Sequence, residues 1–163
     1  MTHPIEAILF DMGGTLRDSV RNDPPIRQEY IRRIIELAGL GAGDWDARFT
    51  ERDRAYFRWA RETLIELYES GLWTQWMLAD QPAEKIAPLA VQLNHLWRTA
   101  IASRTVFPET REVVLELFRR GYRLGLVSNT TSSIEIPRLL KELELTGCFE
   151  TVVLSCKVGM RKP

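Results

Sequence analysis

The chain has no surplus charge of either sign: 22 lysines and arginines face 22 aspartates and glutamates, for a formal net charge of +0. That balance withholds the positive field on which sequence-independent binding to nucleic acid depends, so no nucleic-acid partner is expected. Cysteine is scarce too. The two present, Cys148 and Cys156, stand in no metal-ligand spacing, and read as buried thiols of a reducing compartment rather than as a disulfide framework. Long apolar runs are also missing. The opening segment MTHPIEAILFD is interrupted by Glu6 and bounded by Asp11, too short and too charged for a signal sequence or a membrane span. A cytoplasmic protein with no membrane partner is the expectation. Internal repeats and low-complexity tracts are absent as well, which excludes solenoids and disordered linkers.

What the sequence does contain is ordinary globular material, 45% hydrophobic and 27% charged over 163 residues. A chain of this size buries roughly two-thirds of its extended surface on folding and needs no cross-links. Residues 5–10 form a short apolar strand ending at Asp11 and running into the turn Gly13-Gly14-Thr15. The period then becomes helical. Ile26, Tyr30, Ile34 and Leu37 share a face and Gly39 supplies a stop; from about Asp46 a second helix carries Phe49, Tyr56, Ala60, Leu64 and Leu67 inward, with Arg54, Arg58 and Arg61 on a solvated face. A short segment holds Leu72, Trp73, Trp76 and Met77, and a fourth helix holds Leu89, Leu93, Leu96, Trp97 and Ile101, with Pro88 either opening it or kinking an earlier start. After Pro108 come a helix at 109–120 that buries Val113, Leu117 and Phe118, a strand at 122–128, a helix on Ile136, Leu139, Leu140 and Leu143, and a strand at 151–155. The order predicts an α/β fold, a Rossmann-like parallel sheet with a helical insertion after its first strand.

Ligands of open α/β sheets sit beyond the carboxyl ends of the strands, so the residues there are the candidates: Asp11, then Ser128 with Asn129, then Val158-Gly159-Met160-Arg161-Lys162. Each has a bland reading, as a turn carboxylate, a helix cap or a solvated lysine. Together, at three successive strand ends, a carboxylate, a hydroxyl and an ammonium are the parts of a phosphoryl-transfer site: one attacks phosphorus, one holds a phosphoryl oxygen and one neutralises charge. All 5 tryptophans fall in the insertion, where helical spacing makes them core residues; the alternative is that Trp73 or Trp76 lines a substrate pocket. His3 in the N-terminal tail and His95 on a polar helix face are not expected to act, and Cys156 has no evident base partner.

Three segments resemble the motifs of the haloacid dehalogenase-like (HAD) hydrolase superfamily. Phe10-Asp11-Met12-Gly13-Gly14-Thr15-Leu16 is similar to its D-x-D-G-T-L, Leu126-Val127-Ser128-Asn129 to its strand ending in Ser or Thr, and Val158-Gly159-Met160-Arg161-Lys162-Pro163 to its G-x-x-K-P. The resemblance implies a core of residues 1–17 and 103–163 with residues 18–102 as the helical cap of subclass I. It further implies Asp11 as a nucleophile that becomes an aspartyl-phosphate, Ser128 and Lys162 as catalytic partners, and Gly14, Thr15, Ser128, Asn129 and Lys162 as binders of a small phosphorylated metabolite. Mg²⁺ is the implied cofactor, held by Asp11 and the backbone carbonyl of Gly13.

The sequence departs from that pattern twice. Gly13 stands where the superfamily's phosphatases carry a second aspartate, the general acid/base, whose loss costs such an enzyme ~10²–10⁴-fold. Its dehalogenases, phosphonatases and P-type ATPases carry Tyr, Ala and Thr there, so hydrolysis of a carbon–halogen or carbon–phosphorus bond is the alternative, and a non-catalytic binding protein a third reading. The sequence also stops after the third motif, before the strand whose acidic residues complete the family's metal shell. A truncated chain is the expectation, with the first strand left as an uncovered edge and self-association as its consequence.

Overall fold

In the computed structural model the described residues are 5–163; the reading of His3 lies outside them. Strand β1 (Ala7–Phe10) pairs in parallel with β4 (Arg123–Ser128), with Leu9 opposite Gly125 and Phe10 opposite Leu126. On its other side β4 pairs in parallel with β5 (Phe149–Leu154), so the sheet order is β1-β4-β5. Parallel neighbours require crossover connections. Helix α7 (Glu135–Glu142) makes the one from β4 to β5, and α6 (Thr110–Arg119) leads into β4. All three strands therefore deliver their carboxyl ends to one edge of the sheet.

The sheet's apolar core consists of Met12, Leu16, Val114, Leu124, Leu126, Ile136, Leu140 and Leu154 with their neighbours. β1 lies at the sheet's edge, and its Leu9 is 70% exposed even though it leans across β4. That approach needs a glycine, because a Cβ on Gly125 would come within 2.5 Å of Leu9 Cδ2. In α6 the expected inward face holds at Leu117, which packs against the sheet core, but not at its other two positions. Val113 and Phe118 are exposed at 43% and 47%, and Val114 is the buried residue.

Two strands were not expected. β2 (Arg17–Arg21) and β3 (Ala102–Val106) form an antiparallel ribbon, with Arg21 opposite Ala102 and Arg17 opposite Val106. The helices expected from Pro24 onward are therefore preceded by a strand, and another follows them. Residues 17–21 offer no apolar stripe to a helix, and their backbone groups find partners across the ribbon instead.

The helical block hangs from this ribbon. Helix α1 (Pro24–Ala38) opens on prolines and stops at Gly39, whose φ of 58° suits a residue without a Cβ. α2 (Trp45–Thr63) is capped by the Asp44 carboxylate, which accepts from Ala47 N–H at 3.1 Å. It ends sooner than expected, since Leu64 turns left-handed at φ 57° and is 40% exposed instead of inward. Helix α3 (Glu69–Leu72) runs into a π-helical turn, Trp73–Met77. α4 (Ala83–Ile86) is followed by a 3₁₀ turn holding Pro88 and then by α5 (Ala90–Ile101), so the proline sits at the irregular junction of two helical segments and not at the first position of α5. This block has a second core of its own, built on Ile34, Phe49, Tyr56, Trp73, Met77, Leu93 and Trp97. Trp73 is fully buried there and lines no pocket. Arg54, Arg58 and Arg61 are exposed. Among the described residues no helix is long and apolar enough to cross a membrane.

Candidate active site

Asp11 directly follows β1. Its Oδ1 accepts a hydrogen bond from Met12 N–H at 2.7 Å and lies 2.8 Å from Lys162 Nζ, while its side chain keeps 40% exposure. The turn beyond is held by Arg17 N–H to the Met12 carbonyl at 3.1 Å and Gly14 N–H to the Arg17 carbonyl at 2.8 Å. Those bonds bypass the Gly13 carbonyl. Gly14 adopts φ 72°, and Gly13, Gly14 and Thr15 are all exposed. A Cβ on Gly13 would meet nothing within 4 Å.

Ser128 closes β4 and is buried at 5% exposure. Lys162 reaches the same edge from the segment after β5, its ammonium also donating to the Val127 carbonyl at 3.1 Å. Asn129 also has a structural task. Its Nδ2 donates to the Lys162 carbonyl and its Oδ1 accepts from the Lys162 N–H, both at 2.9 Å, so the amide seats the lysine's backbone. Asp11, Ser128, Asn129 and Lys162 thus gather at one sheet edge. Among the described residues no hydrogen bond ties Gly14 or Thr15 to Ser128, Asn129 or Lys162.

Two open clefts, of about 860 Å³ along α2 and about 660 Å³ beside Asp53 and Trp97, lie on the helical block and include none of these residues. The candidate site is taken from the Asp11–Lys162 pair at the strand ends and not from cleft size. Asp11 and the Gly13 carbonyl are hard oxygen donors of the kind Mg²⁺ accepts alongside water and substrate oxygens. They fit the ion as a minimal set. Among the described residues no three His, Cys, Asp or Glu groups gather to hold a metal.

Several residues around this edge escaped the sequence reading. The hydroxyls of residues 130–133 are buried, and the helical block reaches down to that loop. Asn94 of α5 donates to the Thr131 carbonyl at 2.7 Å, and Glu69 of α3 accepts from Ser133 N–H at 2.5 Å, leaving its other oxygen buried without a partner. Glu66 is 1% exposed. It accepts from Tyr56 Oη at 2.5 Å and Ser155 Oγ at 3.0 Å and is ion-paired with Arg161. Burial and the bond to Glu66 raise the Tyr56 hydroxyl far above its ordinary pKa, so it stays a donor. Burial, with Glu69 and Glu66 nearby, pushes the Cys156 thiol up to about 12, which disfavours its reactive thiolate form. Glu66 and Glu69 do interrupt an apolar run in the sequence; that is the one signal that marked them, and it named no partner.

A family model for haloacid dehalogenase-like hydrolases matches residues 5–163. The chain belongs to this family. Among curated relatives of this HAD-like chain, a phosphoglycolate phosphatase of Aliivibrio fischeri is 27% identical over 165 residues, covering 100% of this chain and 67% of that protein. A glyceraldehyde 3-phosphate phosphatase of Methanopyrus kandleri is 28% identical over 165 residues, covering 98% and 65%. The chain spans about two thirds of the length of the curated relatives it matches. Solved structures agree on the fold. YfnB of Bacillus subtilis, described as a HAD-hydrolase bound to magnesium, superposes with a TM-score of 0.52 at 15% identity, covering 99% of this chain and 68% of that one. A predicted phosphoglycolate phosphatase from Haemophilus somnus gives 0.51 at 16% identity, covering 98% and 66%.

Proposed function

We propose that this HAD-like chain is a phosphatase acting on a small phosphorylated metabolite, with Asp11 as its nucleophile. The observation that carries the reading is the 2.8 Å approach of Lys162 Nζ to Asp11 Oδ1 at the carboxyl edge of a parallel sheet. With Oδ1 engaged by Lys162 and by Met12 N–H, Oδ2 is the oxygen left to attack phosphorus. The new bond joins that oxygen to phosphorus, the bond to the leaving alcohol breaks, and the alkoxide takes its proton from water, since Gly13 has none to give. Ser128 donates to a phosphoryl oxygen and Lys162 neutralises the charge that builds on the others. Water then attacks phosphorus, releasing phosphate and restoring the carboxylate. Mg²⁺, bound by Asp11 and the Gly13 carbonyl, would supply further charge neutralisation. The names of the two phosphatase relatives support the substrate class, and residues 18–102 would serve as the cap over this edge.

Gly13 favours a second reading, hydrolysis of a carbon–halogen or carbon–phosphorus bond, where an acid at that position is not used. Assays with 2-phosphoglycolate, glyceraldehyde 3-phosphate, a haloacid and a phosphonate in Mg²⁺ separate the two. Phosphate release from the esters that is abolished in Asp11→Asn supports the phosphatase. Release of halide, or of phosphate from the phosphonate alone, transfers the site to the second reading. Turnover unchanged in Asp11→Asn overturns both.

A further inference from the structure

The segment that delivers Lys162 to Asp11 is built partly by the helical block. Beyond α2, residues 64–66 lie antiparallel to residues 159–161, with Ile65 opposite Met160. Arg161 N–H donates to the Leu64 carbonyl at 2.8 Å and Glu66 N–H to the Gly159 carbonyl at 3.1 Å. The side chains reinforce this two-bond bridge. The Glu66 carboxylate is ion-paired with Arg161, whose guanidinium is 14% exposed and lies 5.7 Å from the centre of the Phe57 ring. Tyr56 and Ser155 satisfy the remaining lone pairs of Glu66, so the carboxylate is held from both units, Tyr56 in the helical block and Ser155 just after β5.

The geometry points to Glu66 as a positioning residue for Lys162, acting through Arg161. The inference rests on the reading of Asp11 and Lys162 as the reacting pair. Lys162 is one residue past the bridge, and its long side chain alone spans the gap to Asp11. Asn129 holds the Lys162 backbone from the core side, while Glu66 and the bridge hold the preceding residues from the insertion side. Without the Glu66 charge, Arg161 is left as an unpaired guanidinium in a largely buried site. That state costs more than losing a short backbone bridge, so the segment yields and Arg161 turns to solvent. Formation of the Asp11–Lys162 pair is therefore conditional on the insertion being docked. Substrate entry beneath a raised insertion would meet a site whose lysine is not yet in place.

The amine of Lys162 reports its own position. The four lysines of the chain, Lys85, Lys141, Lys157 and Lys162, are acetylated with an N-hydroxysuccinimide ester and their rates read by mass spectrometry. In the unaltered protein Lys162 should react more slowly than the exposed Lys157. Glu66→Gln keeps the shape and an acceptor oxygen for Tyr56, while removing the charge and setting an amide NH2 where the oxygen faces Ser155 and Arg161. It should accelerate Lys162 at least fivefold and leave the other three rates unchanged. Arg161→Met should do the same, and the double variant should add nothing to either. Equal acceleration of all four lysines means general loosening and overturns the inference, as does an unchanged Lys162 rate in Glu66→Gln. Asp11→Asn is the control. If it frees Lys162 while Glu66→Gln does not, the reacting pair stands and the role of Glu66 falls; if Asp11→Asn has no effect, the pair itself falls.

Discussion

Asn129 and Lys162 exchange hydrogen bonds in both directions, side-chain amide to backbone amide, each 2.9 Å long. A lysine on a flexible stem is a poor point charge until its backbone is fixed, and this exchange fixes it. Asn129→Ala should cost about 1–2 kcal/mol of stability, the net worth of two such bonds. It should also speed hydrogen exchange at the Lys162 amide by tenfold or more, measured by NMR. An unchanged exchange rate would show that the amide does not hold the segment.

Gly13 has open space around its missing side chain and a backbone that any residue adopts. Gly13→Asp should therefore fold normally and supply the absent proton donor. Phosphatase activity in Mg²⁺ is expected to rise at least tenfold, a floor set below the ~10²–10⁴-fold range for acid/base groups. Absence of any gain in a variant with unaltered circular dichroism would favour the haloacid or phosphonate reading.

Glu135, at the start of α7, lies within 2.6, 3.2 and 3.4 Å of Arg98, Arg17 and Arg104. Burial alone would raise its carboxyl, but Arg98, Arg104 and Arg17 outweigh burial and hold it down to about 2. Because the folded-state value lies below the ordinary 4.5, the contribution to stability is complete above that pH and fades as the pH falls toward 2. Glu135→Gln should cost roughly 3 kcal/mol at pH 7, leaving three largely buried guanidinium groups uncompensated. Urea melts should show the gap between the two proteins narrowing between pH 4.5 and pH 2.5. A gap that widens on acidification would reverse the sign of this account.

Leu9 stands 70% exposed on edge strand β1. An apolar edge of this kind invites pairing with another copy. Size-exclusion chromatography should show concentration-dependent association of the 163-residue chain, and Leu9→Lys should return it to a monomer. A monomeric profile at all concentrations would remove self-association from the protein's properties.

The parallel sheet was legible because β1, β4 and β5 are short apolar runs closed by polar residues, and the helical block because Ile34, Phe49 and Leu93 recur at helical spacing. The ribbon was not, since its ladder between residues 17–21 and 102–106 closes across some eighty residues of intervening chain and neither strand carries an apolar face. Asp11 and Lys162 could be named from residue type and strand-end position. The partner of Asn129 could not, nor could those of Glu66, whose bonds to Ser155 and Arg161 span 89 and 95 positions. Local pattern says which side chains are buried; only the fold says which buried charges meet.

The ribbon bears on how the chain reaches this state. β1 and β4 must find each other across more than a hundred residues, a slow search in a topology of distant contacts. The helical core, by contrast, is formed almost wholly from neighbours within residues 30–101. Once it condenses it brings Arg21 opposite Ala102, and the loop still to be closed between β1 and β4 shrinks to a few tens of residues. At about 0.6 kcal/mol per halving of loop length, that is worth roughly 1 kcal/mol of closure entropy. The inserted helices would then act first as a template for assembling the sheet, and kinetics should show their tryptophan fluorescence change preceding hydrogen-exchange protection of β4.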